Sequence, residues 1–140
     1  MTRLLADDAD SRLAGSTGAA RLTVTDHDTA IALGSGDLRV FATPRMIALM
    51  EQAACEALSG LLPEGATSVG VRVDVRHVEP SPVGAVVTAT ARVTSVDGDR
   101  ITFEVKATHQ HDVPVVIGSG THVRVAVDAT TFVSRLDAQG

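Results

Sequence analysis

The chain has 140 residues, which is enough for one domain with one buried core. Hydrophobic residues make up 44% of it, yet no apolar run approaches the length of a membrane span. A formal net charge of −5 and only three aromatic residues argue against a nucleic-acid-binding protein, which needs a basic face and rings that stack on bases.

The first residues indicate where the domain begins. Residues 1–19 are rich in Asp, Ala and Gly without periodicity, which predicts a flexible N-terminal arm ahead of a single domain over residues 20–140. Three aspartates interrupt the only apolar run in this arm, so we expect no secretory signal. The single cysteine, Cys55, excludes an internal disulfide and predicts a reducing, cytoplasmic location.

The segment after the arm predicts two short strands, over residues 21–25 and 29–33, around an Asp-His-Asp turn. A Gly-Ser-Gly-Asp loop then leads to the only segment with clear helical periodicity, residues 41–62. Thr43 is expected to cap this helix, with Pro44 in the first helical position and Gly60 and Pro63 marking its end. Cys55 is expected to be a small core residue of the helix rather than a nucleophile.

One helical residue, Glu51, lies at the edge of the apolar stripe with no cation one turn away on its own helix. A carboxylate in that place is costly unless something satisfies it. Two interpretations remain open at this point. Glu51 reaches water or a basic residue of a strand, or it belongs to a functional site.

Period-two alternation follows the helix and predicts an antiparallel sheet. In residues 69–78, four valines and His77 share one face, which places His77 in the buried row. Strands over 86–95 and 101–108 are expected to meet through a bulged three-residue turn with Gly98 in the left-handed conformation, pairing Ala91 with Phe103. The last strand, 113–127, contains Gly118-Ser119-Gly120, which indicates a bulge or a close backbone approach. The tail after it is expected to add a short terminal element.

This order of elements predicts an α+β fold in which a sheet curls around one long helix, or in which a second subunit covers the sheet. His109, His111 and Asp112 lie together at a hairpin end, where a surface turn is a better interpretation than a metal site. His122 and Arg124 are on the strand face opposite Val123, so we expect them to point away from the helix. The sequence has no phosphate-binding or metal motif, and we predict neither a cofactor nor a metal.

Four segments together resemble the fluoroacetyl-CoA thioesterase family of the hotdog fold, over roughly residues 38–128. They are VFATPRMIALMEQAA, VGVRVDVRHVEPSPVG, VDGDRITFEVKA and IGSGTHVRVAVD. The resemblance implies a single-domain hotdog fold over residues 20–140, a homodimer, and hydrolysis of an acyl-CoA. It also implies that the catalytic residues are Thr43, Glu51 and His77, and that Gly70, Arg124 and Phe41 lie near the substrate.

The residues themselves agree with the resemblance at Glu51 and His77, while Thr43 is equally well explained as a helix cap. Thr43 and Glu51 would be about 12 Å apart along one straight helix. The threonine must therefore precede the helix, or His77 must bridge the two, or one residue must come from a partner subunit. The segment GSGDLRV before Phe41 has no aromatic residue, which predicts an acyl group other than, or broader than, fluoroacetyl.

Two further interpretations are kept open. A hotdog dehydratase would carry its histidine and acid in a different motif, which the sequence lacks. A non-catalytic acyl-CoA-binding dimer, regulatory or structural, would bind the same esters without hydrolysing them. The carrier of the acyl group is CoA or an acyl-carrier protein, since both present a pantetheine arm.

Overall fold

The computed structural model describes residues 3–6 and 12–139, and within this part of the chain a single sheet and three helices surround one core. The strands are all antiparallel and stand in the order β1-β3-β4-β5-β2. In chain order the elements are β1 (Thr17–Thr23), a 3-10 turn (Asp26–Asp28), α1 (Ala30–Leu33), α2 (Thr43–Ala57), β2 (Ala66–His77), β3 (Val86–Asp97), β4 (Arg100–His109), β5 (Val115–Asp128) and α3 (Ala129–Gln139).

The long helix α2 lies in the hollow of the sheet. Its apolar stripe is buried, and the core-facing residues of β3 and β4 pack with it in one hydrophobic cluster. Fifteen residues make α2 about 22 Å long, shorter than expected, because it ends at Ala57 and not near Gly60. The curled sheet around one helix confirms the predicted α+β hotdog architecture. In the described chain, no helix is both long and apolar enough to cross a membrane.

The start of α2 differs from the prediction. Ala42 occupies the cap position and makes no side-chain cap hydrogen bond, while Thr43 is the first helical residue. The Thr43 side chain therefore does not cap the helix, and its hydroxyl is available for another contact. Cys55 is exposed, which contradicts the prediction of a core position.

Part of the N-terminal region packs with the domain. Residues 17–19 belong to β1, so the sheet begins before residue 20, and Leu5 and Leu13 are buried in the core. Residues 1, 2 and 7–11 of the predicted arm lie outside the described residues. Residues 30–33 form the short helix α1 where a strand over 29–33 was expected, and Thr29 caps this helix by accepting a hydrogen bond from the Ala32 backbone.

The β3–β4 hairpin has the predicted left-handed Gly98 but a different register. Asp97 pairs with Arg100, which leaves a two-residue loop, and a bulge between Val93 and Ser95 then restores the shared face. Ala91 consequently lies opposite Val105 and not Phe103. The bulge thus lies within the strand and not in the turn, where it was predicted. The alternation of apolar and polar residues is compatible with both positions.

The glycines of β5 confirm the expected close backbone approach. A Cβ at Gly118 would lie 2.6 Å from Met46 Sδ, and one at Gly120 would collide with the Asp74 carbonyl oxygen. Both glycines thus allow β5 to lie tightly between the helix and β2.

Strand β2 is an edge of the sheet, with β5 on one side and no described strand on the other. Its register shifts between Gly70 and Arg72, and Val71 and Val73 are 49% and 40% exposed. The prediction that the whole valine row is buried is therefore wrong in the middle of the strand, although Val75 and His77 are partly buried. An exposed apolar edge strand is a surface on which another strand can pair.

Candidate active site

The hydroxyl of Thr43 and the imidazole of His77 form the first part of the site. Thr43 Oγ1 lies 2.8 Å from His77 Nδ1, within hydrogen-bond distance. The helix start supplies the threonine, and the last residue of β2 supplies the histidine. The pair forms because Thr43 is not used as a cap.

The surroundings of His77 favour its neutral form. The ring is partly buried and packs edge-on against Phe41, with ring centroids 6.4 Å apart. Burial lowers the pKa of His77 below its ordinary value, against an opposing interaction with the nearby Glu79 backbone. A neutral His77 can accept the Thr43 proton at Nδ1 and then carries its own proton on Nε2. In the described chain, Nε2 is buried and makes no hydrogen bond of good geometry.

A cavity of about 250 Å³ opens beside this pair. Apolar side chains dominate the wall, and the Thr43 hydroxyl and the His77 ring are part of it. Leu38, in the GSGDLRV segment before Phe41, is 65% exposed. The apolar part of the wall includes Val40, Phe41, Val78 and Pro80.

Glu51 belongs to a second group of side chains, on the middle of α2. Its Oε2 lies 3.4 Å from Arg124 Nη1 and 3.9 Å from His122 Nε2. A Cβ at Gly70 would lie 2.7 Å from the same oxygen, so the glycine leaves room for the carboxylate against β2. Within one chain, Glu51 is thus satisfied by a strand arginine, which was one of the two interpretations left open by the sequence.

Arg124 and His122 lie inside the protein, which overturns the prediction that they point away from the helix. They are 7% and 1% exposed. Arg124 donates from Nε to Ser68 Oγ at 2.8 Å and from Nη2 to the Ser68 carbonyl at 3.0 Å. Such burial also leaves little of the guanidinium free for a CoA phosphate.

Strand pairing explains why His122 and Arg124 face inward, and this pairing cannot be derived from the sequence of β5 alone. His122 lies opposite Phe103 of β4, and Arg124 lies opposite Ile101. Directly opposed residues share a sheet face, and both β4 residues are core residues. Val123 is buried as well, so apolar character did not identify the inner face of β5. His122 and Ser68 are the site residues that sequence reasoning missed.

The two groups are separate in one chain. Among the described residues, no hydrogen bond or ion pair joins Glu51 with His77 or Thr43. Thr43 and Glu51 are eight residues apart on one helix, about 12 Å along its axis. The single chain therefore brings Thr43, His77 and Phe41 together, and separately Glu51, Gly70 and Arg124.

The hairpin histidines do not form a metal site in the described chain. His109 Nδ1 lies 2.7 Å from the buried hydroxyl of Ser81. No cluster of three or more potential metal ligands occurs among the residues that the structure describes.

The model of the family described as "Fluoroacetyl-CoA-specific thioesterase" matches residues 24–130. The chain belongs to this family. A fluoroacetyl-CoA thioesterase of Streptantibioticus cattleyicolor is 41% identical over 93 residues, which are 66% of this chain and 65% of that relative. The sequence match thus spans just under two thirds of the relative's length.

Solved structures agree on the fold. A structure of the fluoroacetyl-CoA thioesterase FlK has a TM-score of 0.81 at 32% identity and covers 91% of this chain and 96% of its own. A hot-dog-like protein from Thermanaerovibrio acidaminovorans has a TM-score of 0.82 at 29% identity and covers 96% and 97%. These similarities confirm the predicted family and the hotdog fold.

Proposed function

We propose that this protein is an acyl-CoA thioesterase that works as a homodimer, with each active site assembled from two subunits. Thr43 and His77 come from one subunit, and Glu51, with Gly70 and Arg124 around it, comes from the other. The observation that carries the proposal is the Thr43–His77 hydrogen bond next to a cavity, in a chain whose family is named for thioester hydrolysis.

The edge strand β2 supplies a route to such a dimer. A symmetric pair of chains uses the same surface twice, and two exposed valines lie near the middle of β2. Antiparallel pairing about the strand's midpoint sets His77 of one subunit opposite Ala66 of the other. That position is two residues, about 7 Å, from Ser68, whose side chain and carbonyl hold Arg124.

Two groups of each chain are complementary in this arrangement. In the described chain, His77 Nε2 has no hydrogen-bond partner and is buried, so a small movement of the ring or its neighbours has to open it to the partner subunit. The Glu51 side chain is 40% exposed, so its carboxylate can still accept a hydrogen bond from outside its own chain. A Glu51–His77–Thr43 relay results, in which the carboxylate orients the imidazole and the imidazole takes the hydroxyl proton.

Two routes of hydrolysis use this relay. In the first, His77 takes the Thr43 proton, Oγ1 attacks the thioester carbonyl, and the thiolate leaves with the proton from His77 before water cleaves the acyl-threonine. In the second, His77 takes the proton from a water molecule that Thr43 holds, the water oxygen attacks the thioester carbonyl, and the thiolate leaves with the proton from His77, so no acyl-enzyme forms. The backbone N–H of Thr43, or N–H groups near Gly70, would stabilise the oxyanion. Pro44 has no N–H, and the N–H groups of Arg45 and Met46 already donate to the Ala42 carbonyl.

The cavity supports a small or medium acyl group. Its 250 Å³ are bordered by aliphatic residues together with Phe41 and polar side chains, and Leu38 is exposed and does not line it. Because the segment before Phe41 has no aromatic residue, the site should accept aliphatic acyl groups beyond fluoroacetyl. CoA is the proposed carrier because the family and the sequence relative are named for CoA esters. A cytoplasmic location stays a prediction from Cys55.

The experiment is a thiol-release assay over short, branched, aromatic and fluoroacetyl CoA esters, with His77→Ala beside the unmodified protein. Release that depends on His77 supports the thioesterase and ranks the acyl groups. Saturable binding of CoA esters without release would replace it with the acyl-CoA-binding dimer. Running the best acyl group on an acyl-carrier protein as well identifies the carrier.

A further inference from the structure

His122 has two hydrogen-bond partners whose chemistry determines its protonation. Its Nδ1 lies 2.8 Å from the Arg72 carbonyl oxygen, and its Nε2 lies 3.2 Å from Arg124 Nη1. A carbonyl only accepts and a guanidinium only donates. Both bonds form together only when Nδ1 carries the proton and Nε2 is a bare acceptor. The ring is then neutral.

The ring also has little freedom to move. His122 is 1% exposed and stacks on Phe103, with ring centroids 6.0 Å apart and planes inclined by 27°. A stacked, buried ring anchored at one nitrogen presents its other nitrogen in a constant direction. Arg124 is consequently held from three sides, by Ser68 Oγ, by the Ser68 carbonyl and by His122 Nε2.

The same Arg124 nitrogen that donates to His122 faces Glu51. Nη1 lies 3.2 Å from the imidazole and 3.4 Å from the carboxylate. Without the imidazole acceptor, Nη1 would keep only the longer of these contacts, and the guanidinium would be free to tilt about its Ser68 contacts. The orientation of the Glu51 carboxylate therefore depends on a residue that contacts it only at 3.9 Å.

We infer that His122 is a positioning residue: in its neutral Nδ1–H form it holds Arg124, which in turn orients Glu51 toward His77 of the partner subunit. The inference rests on the proposed function in that it assumes a catalytic Glu51. Uptake of a proton at Nε2 would turn the acceptor into a donor facing a guanidinium, and the arrangement would open.

The groups packed around the ring favour the neutral form. They are Glu51 from α2, Arg124 from β5, the Arg72 carbonyl from β2 and Phe103 from β4. Burial lowers the pKa of His122, and the Arg124 charge lowers it further, against the Arg72 hydrogen bond and the Glu51 charge. The Arg72 guanidinium itself points outward to Asp74.

Ring NMR of the intact protein tests the hydrogen-bond assignment directly. Two-bond ¹H–¹⁵N correlations at neutral pH should show His122 protonated on Nδ1, with a non-protonated Nε2. A resonance set for the Nε2–H tautomer, or for an imidazolium, would overturn the inference whatever the enzyme does. The Nδ1–H pattern in a protein that hydrolyses no thioester would support this assignment and remove only the proposed function.

Kinetics tests the positioning role. His122→Phe keeps the stack on Phe103 but removes the acceptor, and kcat should fall about tenfold, the effect of one net hydrogen bond, with KM little changed. His122→Gln, whose amide oxygen can accept from Arg124, should regain most of that loss. Val87→Ala, a buried change in β3 outside the site, is the stability control. Equal losses in His122→Phe and Val87→Ala at equal loss of Tm would overturn the role.

Discussion

Thr43 Oγ1 and His77 Nδ1 lie 2.8 Å apart, joining the first residue of α2 to the last residue of β2. Glu51, eight residues further along the same helix, contacts Arg124 instead. The Thr43–His77 pair and Glu51 are therefore held apart within one chain. A twofold dimer about the β2 edge is a simple way to bring the Thr43–His77 pair of one subunit to Glu51 of the partner subunit.

Removing the Thr43 hydroxyl should impair turnover without unfolding the protein. Thr43→Val keeps the side-chain shape but removes the donor to His77, so kcat should fall about a hundredfold, whereas Thr43→Ser should retain most activity. Thiol release and Tm are the measurements. Intact-protein mass spectrometry of a quenched reaction would reveal an acyl-threonine if the covalent route operates. Full activity of Thr43→Val would remove Thr43 from the mechanism.

Mixed dimers should distinguish a shared site from one within a single chain. His77→Ala and Glu51→Ala should each be inactive alone. A heterodimer of the two, purified through two different tags, contains one site with an intact Glu51 and an intact His77 if the site is shared. It should then recover about half of the unmodified activity per dimer, because a twofold dimer has two equivalent sites. A heterodimer as inactive as its parents would contradict the shared site.

A charge at the β2 edge should separate the subunits. Val73 is 40% exposed at the middle of the strand, and a lysine there opposes strand pairing. Val73→Lys should shift the mass measured by light scattering from dimer to monomer and reduce turnover together with it. Val133→Lys on α3, where the valine is 57% exposed, is the matched control and should leave both unchanged. A dimeric Val73→Lys protein would point to another interface.

The acid limb of the pH–rate profile should lie below the ordinary histidine pKa. His77 must be neutral to take a proton, and burial lowers its pKa from 6.5. The acid limb of kcat/KM should therefore have its midpoint below pH 6.5, because burial outweighs the Glu51 carboxylate of the partner subunit, which acts in the opposite direction. A midpoint at or above pH 6.5 would contradict that balance or the role of His77 as the base.

Stability should follow the same two histidines. The pKa values of His77 and His122 are lowered in the folded protein, so the unfolded chain binds protons more readily as the pH falls through 6.5. Stability is thus complete above pH 6.5 and decreases below it. Thermal unfolding from pH 7.5 to 5 measures this decrease, which should be smaller in His122→Phe. An unchanged pH dependence in that variant would contradict the contribution of His122.

Gly70→Ala should affect activity more than stability. Its Cβ would lie 2.7 Å from Glu51 Oε2, the flexible end of a side chain, so the carboxylate must move while the backbone can stay. Displacement of a catalytic group by about 1 Å can lower kcat by up to a hundredfold. Gly36→Ala, whose Cβ would meet only the Ala30 side chain at 3.3 Å, is the control. Equal kinetics for the two variants would mean that Gly70 does not shape the site.

Local patterns in the sequence were sufficient for the architecture. The apolar stripe of α2 and the period-two strands predicted a curled antiparallel sheet around one helix. Each of these patterns lies within a single element, so it can be recognised without knowing which elements pack together. The same patterns singled out Glu51 as a costly carboxylate and His77 as part of an inner row. The left-handed Gly98 and the tight glycines of β5 were likewise predicted, because their backbone requirements are local.

Only the tertiary structure decided which side chains meet. The inner position of His122 depends on its pairing with Phe103, and the partner of Glu51 depends on β5 lying beside β2. Two bulges each change the strand register by one residue, one between Gly70 and Arg72 and one between Val93 and Ser95. The alternation of residues along a single strand does not show where such bulges occur. Thr43 shows the same limit. A threonine at this position of the sequence can cap the helix or can form a hydrogen bond with His77, and the sequence is the same in both cases. Strand register and strand order depend on contacts between residues far apart in the sequence. They determine which side chains become neighbours, and therefore which role a residue has, where the residue type allows several.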